Sequence, residues 1–171
     1  MTIYWGDGTS TSTHPSGGKI LDWAQGTSTG TTSTNSTSWN DTGISASLTV
    51  ASGKKVLVQS MMTVAANSTM FLRLMRGGTA IALGASASSK QPCTWGAYSG
   101  AASGSGGSFY YGICPVNLQW IDDPGAGTHA YHVEWRVSAS SITMYRGRSY
   151  YDGNTHYNYR TPCHLVALEI D

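Results

Sequence analysis

The feature that most restricts the fold is a strict alternation of apolar and polar residues in HAYHVEWRVS, residues 129–138. Because successive side chains of a β-strand point to opposite faces, this pattern predicts a strand with one buried face. No window of the chain combines helical periodicity with capping residues, so the sequence predicts an all-β fold. The residues predicted to be buried are Tyr131, Val133, Trp135 and Val137.

Other segments repeat the alternation and predict further strands. Residues 54–66 are more continuously apolar, which is typical of a strand that is covered on both faces. The other predicted buried faces are Leu72 and Leu74 in residues 69–78, Val116, Leu118 and Trp120 in residues 115–123, and Val166, Leu168 and Ile170 in residues 163–171.

Groups of turn-forming residues separate these segments, and the Gly- and Ser-rich residues 99–109 are predicted to form a long mobile loop. Short strands joined by such turns are typical of two-sheet proteins. The sequence therefore predicts a jelly-roll-like antiparallel β-sandwich. The predicted turns are Asn40-Asp41, Ser52-Gly53, Gly77-Gly78, Asp123-Pro124-Gly125 and Asp152-Gly153.

The segment GTSTGTTSTNSTSWNDTG, residues 26–43, is unusually rich in Ser and Thr. Thr is β-branched and favours an extended backbone, and a strand exposed on one face needs few apolar residues. Together with the preceding KILDWAQ, residues 19–25, the run predicts edge strands of a sheet. Trp39 is the predicted anchor at the point where the chain turns inward.

A chain of 171 residues fits one domain. We assign residues 19–171 to a single jelly-roll-like β-sandwich domain, because the patterned segments begin there. Residues 1–18 precede the patterned body and are predicted to form a short N-terminal attachment arm. The apolar residues of this arm are Ile3, Tyr4 and Trp5.

The charge balance disfavours one class of partner. Ten Lys and Arg residues against nine Asp and Glu residues give a formal net charge of +1. Since the basic residues are scattered and cannot neutralise a row of phosphates, no nucleic-acid partner is expected. The sequence has no 18-residue apolar run and its first residues do not match a signal peptide, which predicts a protein that does not enter a membrane and is not secreted.

Catalytic patterns are weak, and we expect no enzymatic activity and no cofactor. The letters GTSTG match a nucleophile elbow around Ser28, but a Thr-rich run follows where the elbow requires a helix. His129 and His132 are three residues apart, which places them on opposite faces of a strand. Asp122 and Asp123 precede a Pro-Gly pair and indicate a turn rather than a pair of catalytic acids.

Metal ligands are equally sparse. Cys93, Cys114 and Cys163 cannot all pair within one chain, and none has the spacing of a metal site. Three free thiols are the prediction, and a Cys93–Cys114 disulfide is the alternative. His156 and His164 flank the last predicted turn without a carboxylate cluster to complete a site. An ion held on a threefold axis by one His from each chain remains open.

The segment YRGRSYYDGNTHYNYR, residues 145–160, is the candidate binding site. Tyr supplies a large, stiff contact area with a polar tip, and Tyr and Arg are both enriched at binding surfaces. The segment predicts either a receptor- or sugar-binding tip or a subunit interface. The candidate residues are Tyr145, Arg146, Arg148, Tyr150, Tyr151, Asp152, Asn154, His156, Tyr157, Tyr159 and Arg160.

The order of several motifs resembles a known family. GDGTSTST, GGKILDWAQ and SWNDTGISASLTV are followed by KKVLVQSMMTV, MFLRLMRGGTAI, VNLQWIDDPGAGTHAYHVEWRV and HLVALEID. This series is similar to the C-terminal β-domains of bacteriophage tail fibres, especially of phages that infect cyanobacteria and other aquatic hosts. The resemblance spans most of residues 3–171 and depends on the order of the motifs. It implies a jelly-roll-like domain that assembles as a homotrimer on a virion.

The resemblance implies a virion structural protein, assembled in the bacterial host cytoplasm, with two alternative roles. One is a homotrimeric tail fibre or tail-tip adhesin that contacts a host surface glycan or receptor. The other is a homotrimeric capsid decoration protein, a cement or knob that binds other virion proteins through residues 1–18 and stabilises the phage head. A trimer also agrees with the sequence itself, because exposed Thr-rich edges and many aromatic residues need covering.

Overall fold

The computed structural model describes residues 19–98, 114–150 and 160–171, together with the backbone of two short strands nearer the N-terminus. These two strands, β1 (Ile3–Tyr4) and β2 (Ser10–Thr11), pair with each other in antiparallel orientation.

Trp5 of the arm and the loop predicted at residues 99–109 lie outside the described residues. No helix occurs in the ranges that are described. A search of those ranges finds no helical segment with the length and apolar character that crossing a membrane requires.

The other described strands form two antiparallel sheets. The six-stranded sheet consists of β3 (Ile20–Ser28), β4 (Thr32–Thr34), β6 (Lys55–Ala66), β10 (Cys114–Asp122), β12 (Met144–Arg146) and β13 (Cys163–Ile170). The five-stranded sheet consists of β5 (Asn40–Val50), β7 (Thr69–Arg76), β8 (Thr79–Ile81), β9 (Trp95–Tyr98) and β11 (Gly127–Val137).

The strand order is that of a jelly roll. In the six-stranded sheet, β3 and β4 run along one edge, β13 and β12 lie end to end beside them, and β6 and β10 follow. In the five-stranded sheet the order is β5, β11, β7 and then β8 and β9 end to end. With each end-to-end pair counted once, the eight strands follow the order 1-8-3-6 and 2-7-4-5, the double Greek key of a jelly roll. The predicted all-β, jelly-roll-like sandwich is confirmed.

The core lies between the two sheets and is built from alternate side chains of the long strands. Burial of apolar surface stabilises such a core by about 25 cal/mol per Å². The buried faces of β7 and β11 are those predicted, namely Leu72 and Leu74, and Tyr131, Val133, Trp135 and Val137.

The burial of β13 is the opposite of the prediction. Both sets of alternate residues in this strand are largely apolar, so the alternation does not determine which set is buried. Glu169 enters the core because its carboxylate accepts a hydrogen bond from the Ala51 N–H at 2.9 Å. The buried residues are Leu165, Ala167 and Glu169, and the half-exposed outer residues are Val166, Leu168 and Ile170.

Two further predictions of burial are wrong. Val116 and Leu118 are buried as expected, but Trp120 is 46% exposed because β10 lies at one edge of its sheet. The predicted coverage of β6 on both faces also fails, since Met61 on its outer face is 53% exposed whereas Met62 is buried.

Of the predicted turns that lie within the described residues, three are confirmed and one is wrong. Ser52-Gly53, Gly77-Gly78 and the connection that begins at Asp123 lie between strands, as expected. Asn40-Asp41 does not form a turn, because both residues already belong to β5 and pair with β11. The turn predicted at Asp152-Gly153 lies outside the described residues.

The Thr-rich segment forms an edge of the six-stranded sheet, as predicted. Among the described strands, β3 pairs with β13 alone and β4 with β12 alone. Only glycine fits at residue 26, because a Cβ there would lie 1.9 Å from the carbonyl oxygen of Ser45. Strands β3 and β5 therefore meet in backbone contact and join the two sheets. Trp39 is half buried, and the guanidinium carbon of Arg73 lies 4.5 Å from its ring centroid.

An ion pair between the buried Asp122 and the half-buried Arg76 also joins the sheets. Asp122, the last residue of β10, accepts two hydrogen bonds from Nη1 of Arg76, at 2.9 and 3.1 Å, and one from the Tyr131 hydroxyl at 2.9 Å. Burial raises the pKa of Tyr131, and the hydrogen bond to Asp122 and the charge of that carboxylate act in the same direction.

Replacement of Trp135 by Ala should lower the free energy of unfolding by about 3–5 kcal/mol, because the side chain is almost fully buried in the core. Urea denaturation measures this change. The control is Tyr98→Ala, which removes an aromatic side chain that is 70% exposed and should change the free energy of unfolding by no more than about 0.5 kcal/mol. Equal effects of the two substitutions would contradict the described core.

The free energy of unfolding should fall as the pH rises above about 10, the ordinary pKa of Tyr. Because the pKa of Tyr131 is raised in the folded protein, the unfolded chain loses this proton first, and ionisation favours the unfolded state. Tyr131→Phe has no such proton and should show a smaller fall. Urea denaturation of both proteins at about pH 8 and about pH 10.5 tests this, and an identical fall in both would refute it.

Candidate functional site

The described part of the candidate segment begins with β12. This strand pairs with β6 on one side and with β4 on the other, so its backbone is held in the middle of the sheet. Alternation along the strand turns Met144 and Arg146 into the core and Tyr145 to the outer face of the six-stranded sheet.

Tyr145 is the centre of an aromatic and cationic cluster. The guanidinium carbon of Arg148 lies 3.9 Å from the Tyr145 ring centroid. The ring of Tyr150 meets that of Tyr145 edge to face, with centroids 5.4 Å apart and an interplanar angle of 87°. A single antiparallel bridge brings the backbone of Arg160 beside that of Arg148. We call these four residues, Tyr145, Arg148, Tyr150 and Arg160, the Tyr145 surface.

The backbone fixes the geometry of the Tyr145 surface at Gly147. This residue has a φ of +72°, and a Cβ there would lie 3.2 Å from the carbonyl oxygens of Gly30 and Thr161. Its N–H donates to the carbonyl of Thr63 at 2.9 Å, and its own carbonyl accepts from the Thr161 N–H at 3.0 Å. A glycine is required here, and the turn aims Arg148 back over the Tyr145 ring.

Arg146 is a correction to the predicted site. It is only 4% exposed, because it lies on the inward face of β12, and it is therefore not available to a receptor or to a neighbouring subunit. Its Nη1 donates to the Thr42 carbonyl at 2.7 Å, and its Nη2 donates to the Ser28 hydroxyl at 2.9 Å and to the Gly30 carbonyl at 3.3 Å. The guanidinium thus ties the end of β3 and the turn that follows it to β5.

Burial lowers the pKa of the Arg146 guanidinium, and electrostatic interactions with Cys163 and Asp41 act in the opposite direction. Arginine nevertheless keeps its proton at physiological pH. The core therefore holds a positive charge whose stability depends on the carbonyl and hydroxyl oxygens around it.

The other predicted site residues are Tyr151, Asp152, Asn154, His156, Tyr157 and Tyr159. All six lie outside the described residues.

A groove adjoins the Tyr145 surface on the outer face of the sheet. It has a volume of about 540 Å³ and lies between β6, β10 and the residues that precede β13. The Thr63 and Thr161 hydroxyls, which hydrogen bond to each other, form its wall on the side of Gly147. The rest of its lining is mostly apolar, from Met61, Met62, Pro115, Val116 and Pro162.

A second cationic and aromatic cluster, which the sequence did not reveal, lies on the outer face of the five-stranded sheet. Arg73 Nε donates to the Glu134 carboxylate at 2.7 Å, and Arg73 also covers the Trp39 ring. The guanidinium of Arg136 lies 5.8 Å from the Trp39 centroid and 5.6 Å from that of Phe71. Alternation places Glu134 and Arg136 on one face, but only the register of β7 against β11 shows which residues they meet.

Within the described residues, the structure adds no catalytic partner to the weak catalytic patterns. Ser28 is followed by a turn and β4 rather than a helix, and its hydroxyl accepts from Arg146. No group of three or more His, Cys, Asp or Glu side chains in the described ranges could hold a metal ion. The three cysteines are free thiols, and burial raises the pKa of Cys93 and Cys114, which disfavours the reactive thiolate.

Comparison with known proteins adds no family. A scan against protein-family models finds no match to the chain. A search of curated proteins also finds no similar sequence.

Arg146 of β12 and Arg148 of the following turn should differ in their contributions to the free energy of unfolding. Arg146→Leu should lower the free energy of unfolding by about 3 kcal/mol, because it leaves the buried carbonyl of Thr42 and its neighbours without a donor. Arg148→Leu removes a stacked, half-buried guanidinium and should cost about 1 kcal/mol or less. Urea denaturation of the two variants measures the contrast. A larger loss of stability for Arg148→Leu than for Arg146→Leu would contradict the placement of Arg146 in the core and of Arg148 on the outer face.

Proposed function

We propose that the chain is a bacteriophage virion structural protein, a homotrimeric tail fibre or tail-tip adhesin that contacts the host surface through the Tyr145 surface. The order of its motifs supports this proposal, since it resembles that of tail-fibre C-terminal domains. The strand order supports it as well, because jelly rolls are common among virion proteins and carbohydrate-binding domains.

The observation that carries the proposal is the stack of Arg148 on Tyr145, closed at the edge by Tyr150. The three side chains are half buried and held by contacts with each other, so a ligand would find them already ordered. Tyr rings pack against the apolar faces of sugars, and arginine forks donate to hydroxyl, carboxylate or phosphate oxygens. This chemistry suits a surface glycan, in particular one that carries acidic groups.

A homotrimer is part of the proposal. Strand β3, at the edge of its sheet, carries three exposed apolar side chains, Ile20, Leu21 and Trp23. An exposed edge with apolar residues invites pairing with other chains unless it is covered, and a neighbouring subunit provides such cover.

The purified chain should compete with the phage for adsorption to host cells if it is the adhesin. Arg148→Leu should weaken this competition at least about tenfold, because it removes a charge-assisted donor from the Tyr145 surface. The control is Leu83→Ala, which changes an exposed apolar residue after β8 and should compete as well as the unchanged chain. Full competition by Arg148→Leu would mean that receptor binding uses other residues.

Antibody labelling of intact virions separates the two virion roles. Label at the tail tip is the expected result. Label over the head would instead support capsid decoration, in which residues 1–18, including the paired strands β1 and β2, would clamp neighbouring shell subunits. Virions without label would contradict both roles.

A further inference from the structure

The outer faces of the two sheets differ in character. The five-stranded sheet exposes serine and threonine hydroxyls on β5 and the Arg73–Glu134 ion pair on β7 and β11. Six of the eight large apolar side chains that are exposed in the described residues belong instead to β3, β6 and β10 of the six-stranded sheet. They are Ile20, Leu21, Trp23, Met61, Trp120 and Ile121. Of these, Trp120 lies at the edge of the sheet in the inward-facing set of β10, together with Val116 and Leu118.

The strand register sorts the outward side chains of this sheet into three rows that each cross β10, β6, β13 and β3. We call them together the three-row face. The first row is apolar and consists of Ile121, Leu57, Leu168 and Trp23. The second row is mostly amide and consists of Gln119, Gln59, Val166 and Gln25. The third row consists of Asn117, Met61, His164 and Thr27.

The three-row face has almost no capacity for charge. None of its twelve residues is Asp, Glu, Lys or Arg, and His164 is its one titratable side chain. Residues near a rotation axis meet their own copies, so a charge there would face its own sign. A glutamine amide both donates and accepts, and a ring of identical glutamines can therefore hydrogen bond from each copy to the next. A neutral face of this composition therefore avoids like-charge contacts between copies that meet at a symmetry axis.

The three-row face also carries exposed apolar area. A large apolar side chain has roughly 200 Å² of surface, so Trp23, Met61 and Ile121, each somewhat more than half exposed, together present about 300 Å². The half-exposed Leu57, Leu168 and the glutamines add to this. Ile20 and Leu21, exposed at the end of β3 beside the apolar row, extend this surface toward the area of about 800 Å² that each partner buries in a standard stable interface.

We propose that the three-row face packs around the symmetry axis against the same face of other copies of this chain. The proposal rests on the homotrimer of the proposed function and assigns its contact surface. Gln59, at the centre of the face, would meet the Gln59 residues of the other copies, and Trp23 and Ile121 would fill the contacts on either side.

Gln59→Glu tests this interface with almost no change in side-chain size. It should raise the dissociation constant of the oligomer at least about 100-fold at neutral pH, because three like charges would meet at the axis. Light scattering over a range of protein concentrations measures the number of chains. Gln59→Met keeps the size and adds no charge, so it should remain assembled.

The matched control is Gln91→Glu, which places the same charge beside Arg136, a residue of the five-stranded sheet, and should leave the oligomer intact. Circular dichroism of the dissociated Gln59→Glu protein should show the β-fold, since Gln59 points away from the core. Trp23→Glu, at the exposed end of the apolar row, provides a second variant and should dissociate the oligomer in the same way.

The outcomes separate this proposal from the function on which it rests. A three-chain assembly that survives both Gln59→Glu and Trp23→Glu would overturn the interface but leave the homotrimer standing. A monomeric unchanged chain at micromolar concentration would overturn the homotrimer and the interface together. Dissociation of the Gln91→Glu control to the same extent would show that an added negative charge dissociates the oligomer even when it lies outside the three-row face. This result would also refute the interface.

Discussion

The two sheets are held together by the burial of one face of every long strand, and the other features of the molecule depend on that burial. Most polar groups that enter the core have hydrogen-bond partners, although Nε of Arg146 has none in the part of the chain that the structure describes. Asp122 binds Arg76 and the Tyr131 hydroxyl, and Arg146 donates to Thr42 and to residues at the end of β3. A buried polar group costs several kcal/mol without a partner, so these contacts are what allow charge inside the sandwich. They also join strands of different sheets, which fixes how one sheet lies on the other.

Once the inner face is fixed, alternation decides what the outer face carries. On the six-stranded sheet, alternation turns Tyr145 of β12 outward at one end. It also turns Leu57, Gln59 and Met61 outward on the neighbouring strand β6. The proposed ligand surface and the proposed subunit interface are therefore two parts of one sheet face. They differ in composition: the Tyr145 surface carries Arg148 and Arg160, whereas the three-row face carries no Asp, Glu, Lys or Arg. Assembly on the neutral part would leave the cationic part at the periphery of the trimer, accessible to a host ligand.

Much of this fold could be predicted from the sequence, and the site only in part. Strand alternation is unambiguous where one face is polar, as in β7 and β11, and there the predicted core residues are the buried ones. The prediction of Arg146 as a site residue was wrong, because it came from the Tyr and Arg content of the segment. Composition does not show which alternate residues point inward. Alternation could not reveal the stack of Arg73 and Arg136 on Trp39 either, since these contacts depend on the register between strands that are distant in the sequence.

The failures of the alternation have a common physical cause. All the wrong assignments of burial, at Trp120, in β6 and in β13, fall on the six-stranded sheet, whereas the strands of the five-stranded sheet behaved as expected. A period-two pattern identifies the buried face only when the other face is polar. In β13 the outward Val166, Leu168 and Ile170 are as apolar as the inward set, which is the pattern of a strand covered on both sides. One cover is the opposite sheet, and a second copy of the chain on the three-row face would be the other. Met61, Val166 and Leu168, which misled the sequence prediction, thus also belong to the three-row face that favours an oligomer.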